Sequence, residues 1–212
     1  MNSPALPGVT VPEPGAGAAV PLTRRSRKRN ERRDRVYAAA VALFVEQGFD
    51  ETSMDQIALR SGVARTTVFN HFQRKASFLD EWSRRRRERA ARSLSAAGAA
   101  ERPLRALLGG YFAALAELNT ASRVETTALM AVALRHGDTL LGHELGQELA
   151  EVIVESGARL QVSADPAQVG RLLALGYYSA VVRWIHVEPA PFDLGKELSA
   201  LLDTVLDGAL QP

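Results

Sequence analysis

Apolar residues recur along this chain at spacings of three and four, the period of a helix that buries one face. A first helix is expected from about Glu31 to Gln47, with Val36, Ala39, Ala40, Leu43 and Phe44 as its stripe and Gly48 as its end. Phe49 is expected to fold back onto the same core. Between Ser53 and Lys75 the pattern gives two short helices. Met54, Ile57 and Ala58 share a face of the first, and Ser53 and Gln56 have capping-box spacing. Ser61-Gly62 breaks it, and Gly62 can take the positive φ of a tight turn. The second, about Arg65 to His71, turns Arg65, Thr66, Thr67, Asn70 and His71 one way and, with its flanks, Val63, Val68 and Phe72 the other. Helix, glycine turn, then a polar helix on apolar anchors is the helix-turn-helix plan. The second helix of that plan is the one that enters a DNA major groove.

A fourth helix is expected from near Lys75, seated by Phe78, Leu79 and Trp82. It carries Arg84, Arg85, Arg86, Arg87, Arg89 and Arg92; four consecutive arginines spread right round a helix, so a solvated connecting helix is expected. Residues 96–100 read as a loop. A fifth helix begins with Pro103 and carries Leu104, Leu107, Leu108, Tyr111, Phe112, Leu115 and Leu118. A sixth begins at Ser122 with a Ser122/Glu125 capping box and ends at Gly137; Asp138 can cap a seventh, with Leu141, Leu145, Leu149, Val152 and Ile153. Asp165-Pro166 starts an eighth, which is apolar nearly all round and is stopped by Pro189 and Pro191. The ninth starts at Asp193, with Leu194, Leu198, Leu201, Val205 and Leu206. No segment sustains period-two alternation. The expected fold is all-α with about nine helices: a tail over 1–29, a helix-turn-helix DNA-binding domain over 30–80, and a helical bundle over 81–212.

Composition sharpens this picture. The 212 residues are 46% hydrophobic, enough for a packed core. The net charge of +2 hides an asymmetry: residues 1–97 hold 18 Lys/Arg against 10 Asp/Glu, and residues 98–212 hold 8 against 14. A basic front half suits one nucleic-acid face. Arg24, Arg25, Arg27, Lys28 and Arg29 close a Pro/Gly/Ala-rich stretch expected to be disordered. Those residues read either as a DNA-binding arm or as a solubilising tail. No cysteine is present, which excludes disulfides and thiolate chemistry and is consistent with a reducing cytoplasm. No apolar run reaches a membrane-spanning length, and the N-terminus lacks the order of a signal peptide. The expected location is therefore cytoplasmic. His71, His136, His143 and His186 form no i, i+4 pair, so no metal or other cofactor is expected. No GxSxG, HExxH, P-loop or dinucleotide fingerprint occurs, and no enzyme is expected.

The stretch from about Arg33 to Leu79 resembles the DNA-binding signature of the TetR/AcrR family of transcriptional regulators. The resemblance rests on Ala39-Ala40, Leu43-Phe44, Gln47-Gly48-Phe49, Thr52-Ser53, Ile57-Ala58, Gly62-Val63, Thr67-Val68, His71-Phe72 and Lys75. It implies DNA contacts from Arg33, Ser53, Arg65, Thr66, Thr67, Phe69, Asn70, His71 and Lys75. Three positions depart from the family pattern: Ala64 replaces a Ser-like cap, Phe69 a tyrosine whose hydroxyl reaches phosphate, and Arg74 a small cap. The departures shift expected phosphate binding toward Arg65, Arg74 and Lys75. The resemblance further implies a homodimer through the last two helices, a near-palindromic operator and a pocket for a small effector inside helices five to eight. Phe112, Leu129, Met130, Tyr177 and Trp184 are the candidate walls. Few charges lie there, so an apolar or amphipathic effector is expected. The implied function is a repressor released by ligand; an effector-independent architectural or cell-division DNA-binder on the same fold is the alternative.

Overall fold

The computed structural model describes residues 24–95, 102–136 and 144–210. Among them the chain forms α1 (Arg24–Gln47), α2 (Met54–Ser61), α3 (Arg65–His71), α4 (Ser77–Ala91), α5 (Leu104–Ala121), α6 (Arg123–His136), α7 (Glu144–Glu155), α8 (Pro166–His186) and α9 (Leu194–Ala209). One isolated bridge joins Leu160 to Leu210, and no strand occurs among the described residues. The all-α architecture is the one the periodicity gives.

The polar caps explain several boundaries. Ser53 accepts a hydrogen bond from the Gln56 N–H while the Gln56 side chain accepts from the Ser53 N–H, so the capping box of α2 is complete. Asp165 caps α8 ahead of Pro166, and Asp193 caps α9 through the Lys196 N–H. Two starts differ from expectation. Helix α1 begins at Arg24 rather than near Glu31, so Arg24 to Arg29 are helical and not part of a disordered tail. That run holds no Gly or Pro, and extending an existing helix through good helix formers needs no new nucleus. The Ser122/Glu125 capping box does not form: the Ser122 hydroxyl donates to the Leu118 carbonyl and accepts from Arg86, and Glu125 accepts from Trp82 Nε1. Residues 1–23, the loop at 96–100 and the expected signals Gly137, Asp138, Leu141 and His143 lie outside the described residues.

One hydrophobic core runs through both parts of the chain. Around α1 to α4, Phe44, Ile57, Val68, Phe72 and Phe78 are buried, with Phe72 and Phe78 stacked at 4.1 Å. In the bundle, α7 crosses α8 at Gly146 and Gly170. A Cβ on Gly170 would overlap the Gly146 carbonyl oxygen and lie 2.9 Å from the Ala150 nitrogen, so only glycine permits this backbone approach.

The arginine run of α4 corrects the expectation of a solvated helix. Arg86 and Arg87 are 7% and 5% exposed. Arg86 donates to Asn119 Oδ1 (3.2 Å), Ser122 Oγ (2.7 Å) and Glu125 Oε1 (3.2 Å), while Arg87 pairs with Glu148 (2.9 Å) and with Glu144. Arg84, Arg85 and Arg33 converge on Glu81, which is 4% exposed. Burial pushes the Glu81 carboxyl up, but hydrogen bonds from these three arginines outweigh it and hold it at about 2. The arginines do spread right round α4; Arg85, Arg86 and Arg87, however, meet acids of α1, α6 and α7, and Arg84 meets Glu81 and Glu88 of α4 itself. Helix α4 is thereby tied to α1 through Glu81 and Asp34, to α6 through Glu125 and to α7 through Glu144 and Glu148.

Candidate nucleic-acid interface

The α2–α3 unit is built on its turn. Gly62 adopts φ 66°, ψ 35°, and its N–H reaches back to the end of α2. The Ser61 hydroxyl donates to the Ile57 carbonyl at 2.7 Å, closing the last turn from inside. Helix α3 starts at Ala64 with no side-chain cap, as that substitution requires. Val68 (0% exposed) and Phe72 (2%) fix α3 to the core, and Val63 packs against it. That anchoring leaves Arg65, Thr66, Phe69 and Asn70 exposed and Thr67 and His71 half-buried. Arg65 pairs with Asp55 at 3.0 Å, but both side chains are well exposed, so the pair holds Arg65 only weakly. Its guanidinium also lies 5.5 Å from the Phe69 ring.

Other candidates are placed differently. Ser53 is exposed at the start of α2, where its hydroxyl is the cap. Arg33 gives two hydrogen bonds to Glu81, both 2.8 Å, and lies 5.2 Å from the Phe72 ring. It locks α1 onto α4. Lys75 donates to the carbonyls of Phe49 (2.6 Å), Asp50 (3.2 Å) and Thr52 (3.0 Å), which occupies all three ammonium donors. Its ammonium also sits 4.3 Å from the Phe49 ring. Lys75 thus clamps the α1–α2 connection. Arg74 has Asp80 at 3.5 Å.

The basic residues expected to lie in a disordered arm or tail form an ordered surface at the start of α1. The first turns of α1 lie beside α3, and Arg24, Arg25, Lys28, Arg29 and Arg32 line one cleft with Thr67, Asn70 and His71. Burial, followed by the charges of Arg29, Arg33 and Arg32, holds the His71 imidazole below its usual value. The cleft is an excess of fixed positive charge next to uncharged hydrogen-bonding groups, the combination that holds phosphates beside a groove-reading helix. The missed signal was continuity: nothing between Arg24 and Val36 breaks a helix.

The five candidate ligand-pocket residues are all in the core. Phe112, Leu129, Met130, Tyr177 and Trp184 are at most 4% exposed. Phe112 and Tyr177 touch, with ring centroids 6.3 Å apart, and the Tyr177 hydroxyl accepts from Asn119 at 3.0 Å. Trp184 also lines a small surface cleft, with Arg123, Phe192 and Leu194. Four buried donors lack a partner among the described residues: Arg86 Nε, Arg87 Nη1, Arg102 Nε and the Tyr111 hydroxyl. Among those residues no group of acids and histidines could hold a metal, and no helix is long and apolar enough to cross a membrane.

Residues 36–82 match the family described as bacterial regulatory proteins, tetR family. The HTH-type transcriptional regulator SrpR of Pseudomonas putida is 43% identical over 49 residues, 23% of this chain and 23% of that protein. The HTH-type transcriptional activator FasR of Mycolicibacterium smegmatis is 40% identical over 47 residues, 22% of each. The match therefore spans less than a quarter of the length of these curated relatives. At the level of structure the likeness is longer. Thermus thermophilus FadR, a TetR family transcriptional repressor solved in complex with lauroyl-CoA, superposes with a TM-score of 0.62 at 28% identity, covering 85% of this chain and 96% of that one.

Proposed function

For a chain that belongs to the TetR family of bacterial regulatory proteins, we propose a homodimeric, sequence-specific DNA-binding regulator that represses transcription until a small effector releases it. The observation that carries the reading is the seating of α3. Buried Val68 and Phe72 present Arg65, Thr66, Thr67 and Asn70 outward, beside the basic start of α1. In this reading α3 enters the major groove and α1 supplies backbone contacts. Two copies joined through α8 and α9 would set their α3 helices about 34–36 Å apart, one turn of a near-palindromic operator.

The effector reading draws on the bundle. Phe112, Leu129, Met130, Tyr177 and Trp184 supply apolar surroundings, and Arg87 Nη1 and the Tyr111 hydroxyl are buried donors for a ligand's acceptor. An amphipathic molecule fits that pairing. It shifts the protein only by preferring one geometry of the bundle over the other. Helix α4 transmits the preference, because Arg87 holds α7, while Glu81 holds Arg33 of α1 and Arg85 holds Asp34 of α1. The lauroyl-CoA of the Thermus repressor is an amphipathic molecule of this kind.

Two results are expected. Arg65→Ala removes an exposed guanidinium from α3, so operator affinity falls by about 1–3 kcal/mol at constant salt with an unchanged melting temperature. Unchanged affinity in a fluorescence-anisotropy titration would remove Arg65 from the interface. The second concerns His71, which is neutral in the free protein near pH 7 because its pKa lies below the ordinary value of about 6.5. A neighbouring operator phosphate raises that pKa, so the complex takes up a proton. Affinity then rises as pH falls through the bound-state pKa and levels off below the free-state one. His71→Gln flattens the profile; an unaltered profile in that variant assigns the pH dependence elsewhere.

A further inference from the structure

Helix α1 carries more apolar surface than the core uses. Val36, Ala39, Ala40, Leu43 and Phe44 are buried, yet Ala38, Val41, Ala42 and Val45 make a second stripe that is exposed or half-buried. This stripe is one wall of a cleft of about 660 Å³ at the junction of the DNA-binding unit and the bundle. Trp82, Arg85, Arg86 and Arg89 of α4 form the second wall. Leu118, Ser122, Val124 and Glu125 of α5 and α6 form the third, with Val124 72% exposed at the surface.

The polar parts of the cleft are built, not incidental. Arg85 lies 4.1 Å from the Tyr37 ring and Arg86 4.4 Å from the Trp82 ring, so two guanidinium–aromatic pairs stand side by side. Arg86 is held from behind by Asn119, Ser122 and Glu125, and its buried Nε has no partner among the described residues. A second, polar cleft shares Arg85 and Arg89 and adds Arg33, Arg84 and Arg92 beside Asp34 and Glu88, while buried Glu81 engages Arg33, Arg84 and Arg85 and the acids of the trough itself are Glu46, paired with Arg60, and Glu125, paired with Arg86. An apolar trough thus opens onto a surplus of cations.

We propose that this interdomain cleft is a binding site for an amphiphilic organic anion, distinct from the interior of the bundle. The apolar body lies along Val41, Val45, Leu118 and Val124, and the anionic head meets Arg89 at the rim. The volume suits a small organic ligand, and the charge selects an anion. Because its walls belong to α1, α4 and α6, an occupied cleft fixes the DNA-binding unit against the bundle, and occupancy and DNA affinity are linked reciprocally.

The sequence contains two tryptophans, and only Trp82 lines this cleft. In a Trp184→Phe chain, decanoate below its micellar concentration is expected to change the Trp82 emission saturably, and calorimetry on the unaltered chain is expected to show the same affinity. Arg89→Glu, an exposed change, weakens both by about ten-fold or more, as loss of a charge-assisted contact implies. Val41→Glu abolishes them. No saturable change at Trp82, or an affinity untouched by Arg89→Glu and Val41→Glu, would overturn the proposal and place any decanoate bound in the bundle interior.

Discussion

Leu175→Glu is expected to make the chain monomeric and to lower its operator affinity by about 100-fold or more. Helix α8 packs on its own bundle through Val169, Leu173, Tyr177, Val181 and Trp184, all nearly inaccessible. Its opposite face leaves Leu172 57% and Leu175 45% exposed, with half-buried Val182 further along. Helix α9 packs so closely beside it that a Cβ on Gly176 would overlap the Leu201 side chain, and half-buried Leu201 and Val205 extend the apolar surface. A contiguous apolar face of this kind marks an association surface. A carboxylate at its centre is exposed in the monomer, so folding is spared, but it would be buried without a partner in the pair. Losing the second half-site contact then removes the gain of roughly 10²–10⁴ that linked binding events provide. Sedimentation equilibrium and a DNA titration check both halves. A variant that stays dimeric places the interface elsewhere.

The second large effect is on stability. The double substitution Glu144→Ala, Glu148→Ala is expected to cost about 3–5 kcal/mol in urea unfolding, because it leaves Arg87 buried and charged with no acid beside it. The Arg87 side chain is 6% exposed, and a guanidinium does not give up its proton. The two carboxylates are each close to half exposed. Burial raises the Glu148 pKa despite Arg87, so at neutral pH the pair is worth less than its 2.9 Å contact suggests. The cost therefore comes mainly from the stranded arginine. A loss below about 1 kcal/mol would mean that Arg87 turns out to solvent and that α4 is not held to α7 through it.

The helices were legible because burial follows period: every residue of the α1 stripe read from the sequence is buried, and so are the α3 anchors Val68 and Phe72. Caps were legible where the side chain has nothing better to do. Ser53, Asp165 and Asp193 cap as expected, whereas Ser122 and Glu125 are taken by Arg86 and Trp82, partners 36 to 43 residues away. The same limit hid the fate of the arginines. A run that covers all sides of a helix looks solvated until the tertiary structure supplies acids around it, and those acids come from α1, α6 and α7 as well as from α4 itself. Glu81 was the readable exception, at i−3 and i−4 from Arg84 and Arg85. The contacts that Lys75 and Arg33 make within the chain were hidden for a related reason. The positions of both residues in the signature are plain, but the carbonyls and the carboxylate that engage them become neighbours only once α1 and α4 pack together.

The most direct test of the central claim is a gel shift of the purified chain on the DNA immediately upstream of its own coding region, in excess random competitor and at several salt concentrations. A discrete, salt-sensitive shift from a dimer is expected, resistant to competitor and weakened by Arg65→Ala. Binding no tighter than to random DNA, there and at every site in a genome-wide binding map, would contradict it.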